Sequence, residues 1–229
     1  MNDQHKSDSV LIRIALVRLL LLLIFMGVFL FVPAGTFRYW EAWGFIAILF
    51  IPVIFVGIYL FKNHRDLFER RMKGREKEVS QKWIMVFSWI YLMSGFVVAG
   101  LDHRFGWSAV PVWLIILSYL VIMAGYALVI WVFRTNSYAS RIIEVDQGQR
   151  VIDTGPYSFV RHPMYSGTLL MYLLFPLGLG SYWAIIPGLL IVPILVGRIH
   201  NEEAVLSREL PGYPEYMKKT RFRLIPGIW

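Results

Sequence analysis

The sequence predicts an all-α fold, a polytopic membrane bundle of about five or six transmembrane helices. Composition is the first reason, because 57% of the 229 residues are hydrophobic, only 17% are charged, and the mean hydropathy is +0.57. An ordinary soluble domain is much less apolar. The second reason is that uncharged stretches are long enough to cross a hydrocarbon layer about 30 Å thick, which takes roughly 20 helical residues.

The first 133 residues contain four apolar stretches, which we interpret as a transmembrane scaffold. The first stretch resembles the start of a secretory signal, but it is long for one and Pro33-Ala34-Gly35 is a poor cleavage site. We therefore expect it to remain as an anchor. The four predicted spans cover residues 14–32, 43–61, 83–101 and 112–133.

A fifth uncharged run covers residues 163–197 and is 35 residues long. A straight helix of that length would reach roughly 52 Å, so the run has to reverse. The predicted reversal is at residues 178–181, where glycine tolerates the turn and Ser181 can serve its backbone groups. Each limb is then about 16 residues long, slightly short of the usual span of ~17–25, so a full crossing and a re-entrant hairpin both stay open.

The distribution of basic residues predicts the orientation. If the N-terminus is cytosolic, 21 of the 23 Lys and Arg residues fall in cytosolic segments, and only Arg38 and Arg104 lie outside. The positive-inside rule therefore predicts an integral protein of a bacterial inner membrane with both termini in the cytosol. The net charge of +8 then reflects topology and attraction to anionic head groups rather than nucleic-acid binding. The chain has no cysteine, and we predict no metal centre.

Residues 153–167, which we call the first block, carry polar groups at the start of an apolar helix. Pro163 suits the first helical turn, so the helix is predicted to begin at His162 or Pro163. Free backbone N–H groups and the positive end of the helix dipole then lie beside Arg161 and His162, where an anion would be favoured. The alternative is that Arg161 extends to lipid head groups and His162 only caps the helix.

Residues 198–206, the second block, follow directly after the last apolar limb. If that limb continues as a helix, Arg198 and Glu202 share a face, and Glu203 lies about 100° round. A solvated helix end with an Arg–Glu pair is the simple alternative. However, acidic residues near a bilayer are costly unless they serve a function, and a sulfonium cation or ribose hydroxyls are suitable ligands for them.

Residues 212–226, the third block, combine tyrosines with basic residues. Tyr213 and Tyr216 offer ring faces to a cation or an adenine, and hydroxyls to polar groups. The alternative is an amphipathic tail that binds anionic lipid through its basic side chains. Those basic residues are Lys218, Lys219, Arg221 and Arg223.

The three blocks in this order resemble the isoprenylcysteine carboxyl methyltransferase family and its bacterial relatives, within the phospholipid methyltransferase-like superfamily. The resemblance covers about residues 134–229, and the order of the blocks is more specific than any one of them. It implies that residues 1–133 form the scaffold and residues 134–229 a methyltransferase segment. The matching patterns are Gly-Pro-Tyr-x3-Arg-His-Pro-x-Tyr-x-Gly, Arg-x3-Glu-Glu-x2-Leu, and Tyr-x2-Tyr with a downstream Arg and Pro.

The resemblance implies an S-adenosylmethionine pocket on the cytosolic side, closed by the C-terminal tail, with a lipid substrate entering from the membrane. It also implies catalytic roles for Glu203 and Arg221 toward the methyl-accepting end. The spacing in the tail differs from that of the eukaryotic enzymes, so the choice between Arg221 and Arg223 stays open. The implied cofactor-binding residues are Arg161, His162, Pro163, Tyr165, Gly167, Glu202, Tyr213 and Tyr216.

We therefore predict a membrane methyltransferase that uses S-adenosylmethionine on a lipidic or amphipathic acceptor, such as an isoprenylcysteine-like carboxylate. A carboxylate is already ionised at neutral pH, because its reference pKa is about 4, and it needs only positioning by an arginine that Glu203 orients. Phospholipid N-methylation and thiol S-methylation are alternatives, in which the acidic pair or His162 would remove a proton. A small transporter or assembly factor is a further alternative, but the predicted spans contain no ionisable residue after Arg18.

Overall fold

The computed structural model describes residues 7–72, 79–139, 145 and 148–229, and within these residues the chain is helical without any strand. A short 3₁₀ turn, Gly155–Ser158, separates the fifth and sixth helices. The helices are α1 (Asp8–Ala34), α2 (Trp40–Asn63), α3 (Arg65–Met72), α4 (Val79–Phe105), α5 (Val112–Thr135), α6 (Pro163–Gly178), α7 (Ile185–Gly188), α8 (Ile191–Glu209) and α9 (Tyr213–Lys219).

The predicted all-α membrane bundle is confirmed. Among the residues that the structure describes, five helical segments are long and apolar enough to cross a membrane. Each of the four predicted scaffold spans lies within one of the first four long helices, and the division of the chain at residue 133 stays a prediction. The five segments are Asp8–Ala34, Trp40–Asn63, Val86–Phe105, Val112–Thr135 and Ile185–Glu209.

The predicted reversal of the fifth apolar run is also confirmed. Helix α6 begins at Pro163 and ends at Gly178, and Gly180 has a φ of 70°, a conformation that glycine adopts without a Cβ clash. The Ser181 N–H donates to the Pro176 carbonyl at 2.9 Å. The 16 residues of α6 reach about 24 Å, which is shorter than a hydrocarbon layer.

A buried carboxylate, Asp102 at the end of α4, holds this reversal in place. Asp102 is 1% exposed and accepts hydrogen bonds from the Ser108 N–H at 2.7 Å, the Ser108 hydroxyl at 2.6 Å and the Ser181 hydroxyl. The Tyr39 hydroxyl donates to the Leu179 carbonyl at 2.6 Å. Because a buried charge is tolerated only when it is hydrogen-bonded, these contacts fix the hairpin against α4.

Helices α5 and α6 approach closely at a pair of glycines. A Cβ added to Gly125 would lie 2.8 Å from the Gly167 carbonyl oxygen, and a Cβ added to Gly167 would lie 2.8 Å from the Gly125 carbonyl oxygen. Small residues allow such backbone contact between membrane helices. This contact sets the position of α6, whose N-terminal end carries the first block.

Replacing Gly167 with alanine is expected to lower the free energy of unfolding by about 1–3 kcal/mol, because the added methyl group forces the two helices apart. Unfolding in mixed detergent micelles measures the effect. The matched control is Gly57→Ala in α2, where, apart from Gly57, its two neighbours and the nearby helix backbone, no atom of a described residue lies within 4 Å of the added Cβ. The control is expected to gain up to about 1 kcal/mol through better helix propensity. A Gly167→Ala protein as stable as this control would contradict the close packing.

The C-terminal tail, residues 220–229 after α9, returns to the start of α6 and pairs with it through backbone hydrogen bonds. The Arg161 N–H donates to the Phe222 carbonyl, and the His162 N–H donates to the Arg223 carbonyl, both at 2.9 Å. The Ser166 hydroxyl donates to the Leu224 carbonyl at 2.7 Å. As a result, the third block lies against the first block. Both lie at the end of the bundle where α8 carries the second block.

Candidate active site

One pocket is lined by residues from all three blocks. It lies where α6 begins, where α8 leaves its apolar part and where α9 packs against α8. Further lining residues come from the segment between α5 and α6, including Asn136, Tyr138, Arg150, Val151 and Tyr157. The lining residues from the three blocks include Arg161, His162, Pro163, Tyr165, Arg198, Glu202, Tyr213 and Tyr216.

Glu203 is the centre of a buried ion cluster and does not itself line the pocket. Its side chain is 7% exposed. Oε1 accepts from Arg161 Nε at 2.7 Å and from His162 Nε2 at 3.1 Å, and Oε2 accepts from Arg223 Nε at 2.9 Å. Three donors thus occupy this carboxylate, and they come from the start of α6 and from the tail.

Arg161 holds the tail rather than extending to lipid head groups. It is 6% exposed, and its Nη1 donates to the carbonyls of Thr220 at 3.0 Å and Arg221 at 2.8 Å. His162 occupies the position before α6, but its side chain makes no capping hydrogen bond to the helix. Both simple alternatives for the first block therefore disagree with the geometry, since these side chains point to Glu203 instead.

Glu202 has a different environment, although it is the next residue. Its side chain is 24% exposed and lines the pocket. Oε2 accepts a hydrogen bond from the Tyr165 hydroxyl at 2.6 Å, and Oε1 lies 3.9 Å from His162 Nδ1. The same Tyr165 hydroxyl accepts from Arg198 Nε at 2.8 Å. Glu202 is thus a partly solvated carboxylate held at the wall of the pocket.

Tyr213 lines the pocket with a buried hydroxyl that has no hydrogen-bond partner among the described residues. The residue is 4% exposed. Burial, reinforced by the nearby carboxylates of Glu203 and Glu202, raises the pKa of the hydroxyl above its usual value. The group is therefore a neutral donor at physiological pH. A buried polar group without a partner is costly, so a ligand that accepts its hydrogen bond would relieve a penalty.

Tyr216 is buried and Tyr157 is partly buried at the same wall, and both hydroxyls already take part in hydrogen bonds. The Tyr216 hydroxyl donates to the Tyr157 carbonyl at 2.8 Å, and the Tyr157 hydroxyl accepts from Asn136 Nδ2 at 2.8 Å. Burial raises the pKa of both tyrosines. These two residues therefore contribute ring surface to the pocket while their hydroxyls hold the wall together.

Besides Glu203, two residues of the implied site, Gly167 and Arg221, do not line the pocket. Gly167 is buried against Gly125 and is absent from the pocket lining. The Arg221 side chain is exposed, and only its carbonyl takes part in the cluster. Arg223 contacts Glu203, and its guanidinium lies 5.2 Å from the centre of the Trp229 ring. The roles assigned to these residues stay predictions, and the geometry favours Arg223 over Arg221 as the partner of Glu203.

Several lining residues were not among the predicted site residues. Tyr157 belongs to the Gly-Pro-Tyr pattern, and Arg198 begins the second block, so both carried a sequence signal. Asn136, Tyr138 and Val151 carried none, because only the return of the chain after α5 brings them to the pocket.

Comparison with known proteins adds independent support. Residues 113–211 match the phospholipid methyltransferase family model. The match begins in α5, includes the first and second blocks, and ends before α9. No curated protein matches the chain. The match supports a membrane methyltransferase of the phospholipid or isoprenylcysteine methyltransferase kind. That family includes the isoprenylcysteine carboxyl methyltransferases, so the match over residues 113–211 confirms the predicted resemblance in that part of the chain.

Proposed function

We propose that this protein transfers a methyl group from S-adenosylmethionine to a lipidic or amphipathic acceptor at the cytosolic face of the membrane. One observation carries the proposal: the three blocks meet in a single pocket that offers a partly solvated carboxylate, a buried hydroxyl without a hydrogen-bond partner in the described part of the chain, and several tyrosines. This combination suits a ligand with a positive centre, sugar hydroxyls and an aromatic base.

The residues present fit S-adenosylmethionine in chemical type. Glu202 can accept from ribose hydroxyls or face a positive centre, and Tyr213 can donate to a polar atom of the ligand. Tyrosines 138, 157 and 216 supply aromatic surface at the pocket, which suits an adenine or a sulfonium. When bound, this cofactor supplies an activated methyl group. The ion cluster around Glu203 holds the tail against the pocket and is proposed to help exclude water.

The position of the pocket favours an acceptor that arrives from the membrane. The pocket lies at the ends of helices whose remaining length is apolar, and Met164, Leu206 and Leu210 are part of its lining. A carboxylate acceptor would need only orientation, because it is ionised at neutral pH. A phospholipid amine is the second candidate, since the matching family is described as phospholipid methyltransferases. An amine has to lose a proton in this reaction. Glu202, the carboxylate at the pocket wall, is the proposed base.

Mass spectrometry of cell extracts tests the proposed activity and identifies the acceptor. Lipids and small thiols are compared between cells that lack the gene and cells that express either the wild-type protein or the Glu202→Ala variant. We expect a methylated species that appears only with the wild-type protein. Its mass and fragmentation distinguish a methyl ester from an N-methyl head group or a methyl thioether. Identical profiles in the three strains, with both proteins present in the membrane, would contradict the proposal.

Replacing Tyr213 with phenylalanine is expected to change stability and affinity in opposite directions. The variant removes the unpartnered hydroxyl, so the ligand-free protein should become about 1 kcal/mol more stable. Its affinity for S-adenosylhomocysteine should fall about 2- to 12-fold, the value of one neutral hydrogen bond. Thermal unfolding and calorimetry in detergent measure the two effects.

The matched control for this prediction is Tyr216→Phe, whose hydroxyl has a protein partner at 2.8 Å. Losing that hydrogen bond should make the ligand-free protein less stable by about 1 kcal/mol. If Tyr213→Phe instead loses stability as Tyr216→Phe does and keeps its affinity, the hydroxyl of Tyr213 serves the fold and not a ligand.

A further inference from the structure

The hydroxyl of Tyr165 lies between a cation and a carboxylate of α8 and is hydrogen-bonded to both. Arg198 and Glu202 lie one turn apart on α8, a spacing at which oppositely charged side chains can interact. In this structure the Tyr165 hydroxyl from α6 donates to Glu202 at 2.6 Å and accepts from Arg198 at 2.8 Å. The Arg198 guanidinium lies 5.9 Å from the centre of the Tyr165 ring.

The direction of each hydrogen bond follows from the donor inventory. Arginine can only donate and an ionised carboxylate can only accept, so the phenol oxygen accepts from Arg198 and its single proton goes to Glu202. The hydroxyl proton of Tyr165 is therefore not available to a ligand. A direct Arg–Glu contact would tend to be bidentate and would occupy both carboxylate oxygens. The intervening phenol instead occupies one site on Oε2.

The two adjacent glutamates, Glu202 and Glu203, thus differ in burial and in the number of hydrogen bonds that they accept. Glu203 accepts from three donors and is buried, whereas Glu202 keeps acceptor capacity at the pocket wall. A carboxylate has about four acceptor sites. The hydrogen bond from the Tyr165 hydroxyl on α6 is enough to fix the rotamer of Glu202. It leaves other acceptor sites of the carboxylate for a ligand.

We propose that Tyr165 and Arg198 are positioning residues, which hold the Glu202 carboxylate in the pocket so that it accepts from the hydroxyl groups, or faces the positive centre, of the bound cofactor. This inference rests on the proposed function. It changes the role of Tyr165 from a direct cofactor contact to a residue that acts through Glu202. It also adds Arg198, which was not among the predicted site residues.

A double-mutant cycle tests the inference through binding affinity. The affinity for S-adenosylhomocysteine is measured by calorimetry for the wild-type protein, Tyr165→Phe, Glu202→Ala and the double variant. We expect Tyr165→Phe to weaken binding about 3- to 10-fold when Glu202 is present and less than about twofold when it is alanine. Arg198→Gln is expected to behave like Tyr165→Phe in both backgrounds, which provides a second variant if one of them folds poorly.

The matched control is Tyr126→Phe in α5, which loses a comparable buried hydrogen bond to the Leu49 carbonyl at 3.1 Å. It should lose stability like Tyr165→Phe and keep wild-type affinity. If the losses from Tyr165→Phe and Glu202→Ala simply add, Tyr165 does not act through Glu202 and the inference is overturned, while the proposed function stands. If the folded wild-type protein binds no S-adenosylhomocysteine, the proposed function fails and the inference fails with it.

Discussion

Replacing Glu203 with alanine is expected to lower the free energy of unfolding by about 3–5 kcal/mol, the usual cost of removing one partner from a buried ion pair. Glu203 is the shared acceptor for Arg161, His162 and Arg223. Without it, the buried guanidinium of Arg161 lacks a compensating charge. Unfolding in mixed detergent micelles measures the loss.

The same variant should loosen the tail, because Arg161 and Arg223 both join the tail to Glu203. Limited proteolysis followed by mass spectrometry should therefore release C-terminal fragments faster than in the wild-type protein. The neighbouring Glu202→Ala is the matched control, since it removes an equal charge with one hydroxyl partner, and it should cost at most about 2 kcal/mol. Equal losses of stability from the two variants would show that the cluster around Glu203 does not hold the tail.

Replacing Glu202 with alanine is expected to weaken S-adenosylhomocysteine binding about 10- to 150-fold. This range corresponds to the loss of about 1.5–3 kcal/mol for hydrogen bonds to a charged group. The effect should be on binding, because Glu202 lines the pocket, is 24% exposed and contributes little to the buried cluster. Calorimetric titration of the purified variant in detergent measures the affinity.

Glu215→Ala is the matched control for this prediction. Glu215 is an exposed carboxylate in the first turn of α9 and does not line the pocket, although its neighbours Tyr213 and Tyr216 do. The Glu215→Ala protein should bind S-adenosylhomocysteine as the wild-type protein does. If the Glu202→Ala protein binds S-adenosylhomocysteine with unchanged affinity, Glu202 does not take part in binding, and the pocket offers the ligand no carboxylate.

Much of the fold was predictable because the constraints on it are local. A hydrocarbon layer demands long apolar helices, so hydropathy alone located the four scaffold spans. The reversal at residues 178–181 followed from the length of one uncharged run. The helices extend beyond the predicted spans, as in α1 (Asp8–Ala34), because a helix continues through polar residues that hydropathy assigns to loops.

Many of the residues that line the pocket belong to the three blocks and could be picked out from the sequence, but their contacts could not. Glu202 and Glu203 are adjacent and chemically identical, and only their neighbours on α6 and in the tail give one a buried ion cluster and the other a pocket position. Gly167 matched a motif, yet its close approach to Gly125 serves helix packing. Likewise, the path of the tail brings Arg223 to Glu203 and leaves Arg221 exposed, a difference of two residues that spacing did not resolve.

Calorimetric titration of the wild-type protein with S-adenosylhomocysteine tests the proposal that the pocket formed by the three blocks binds S-adenosylmethionine. If the proposal holds, we expect saturable heat with one site per chain and a rise in the thermal unfolding temperature. Protein that is folded by circular dichroism, yet gives no heat and no thermal stabilisation with either S-adenosylhomocysteine or S-adenosylmethionine, would contradict it.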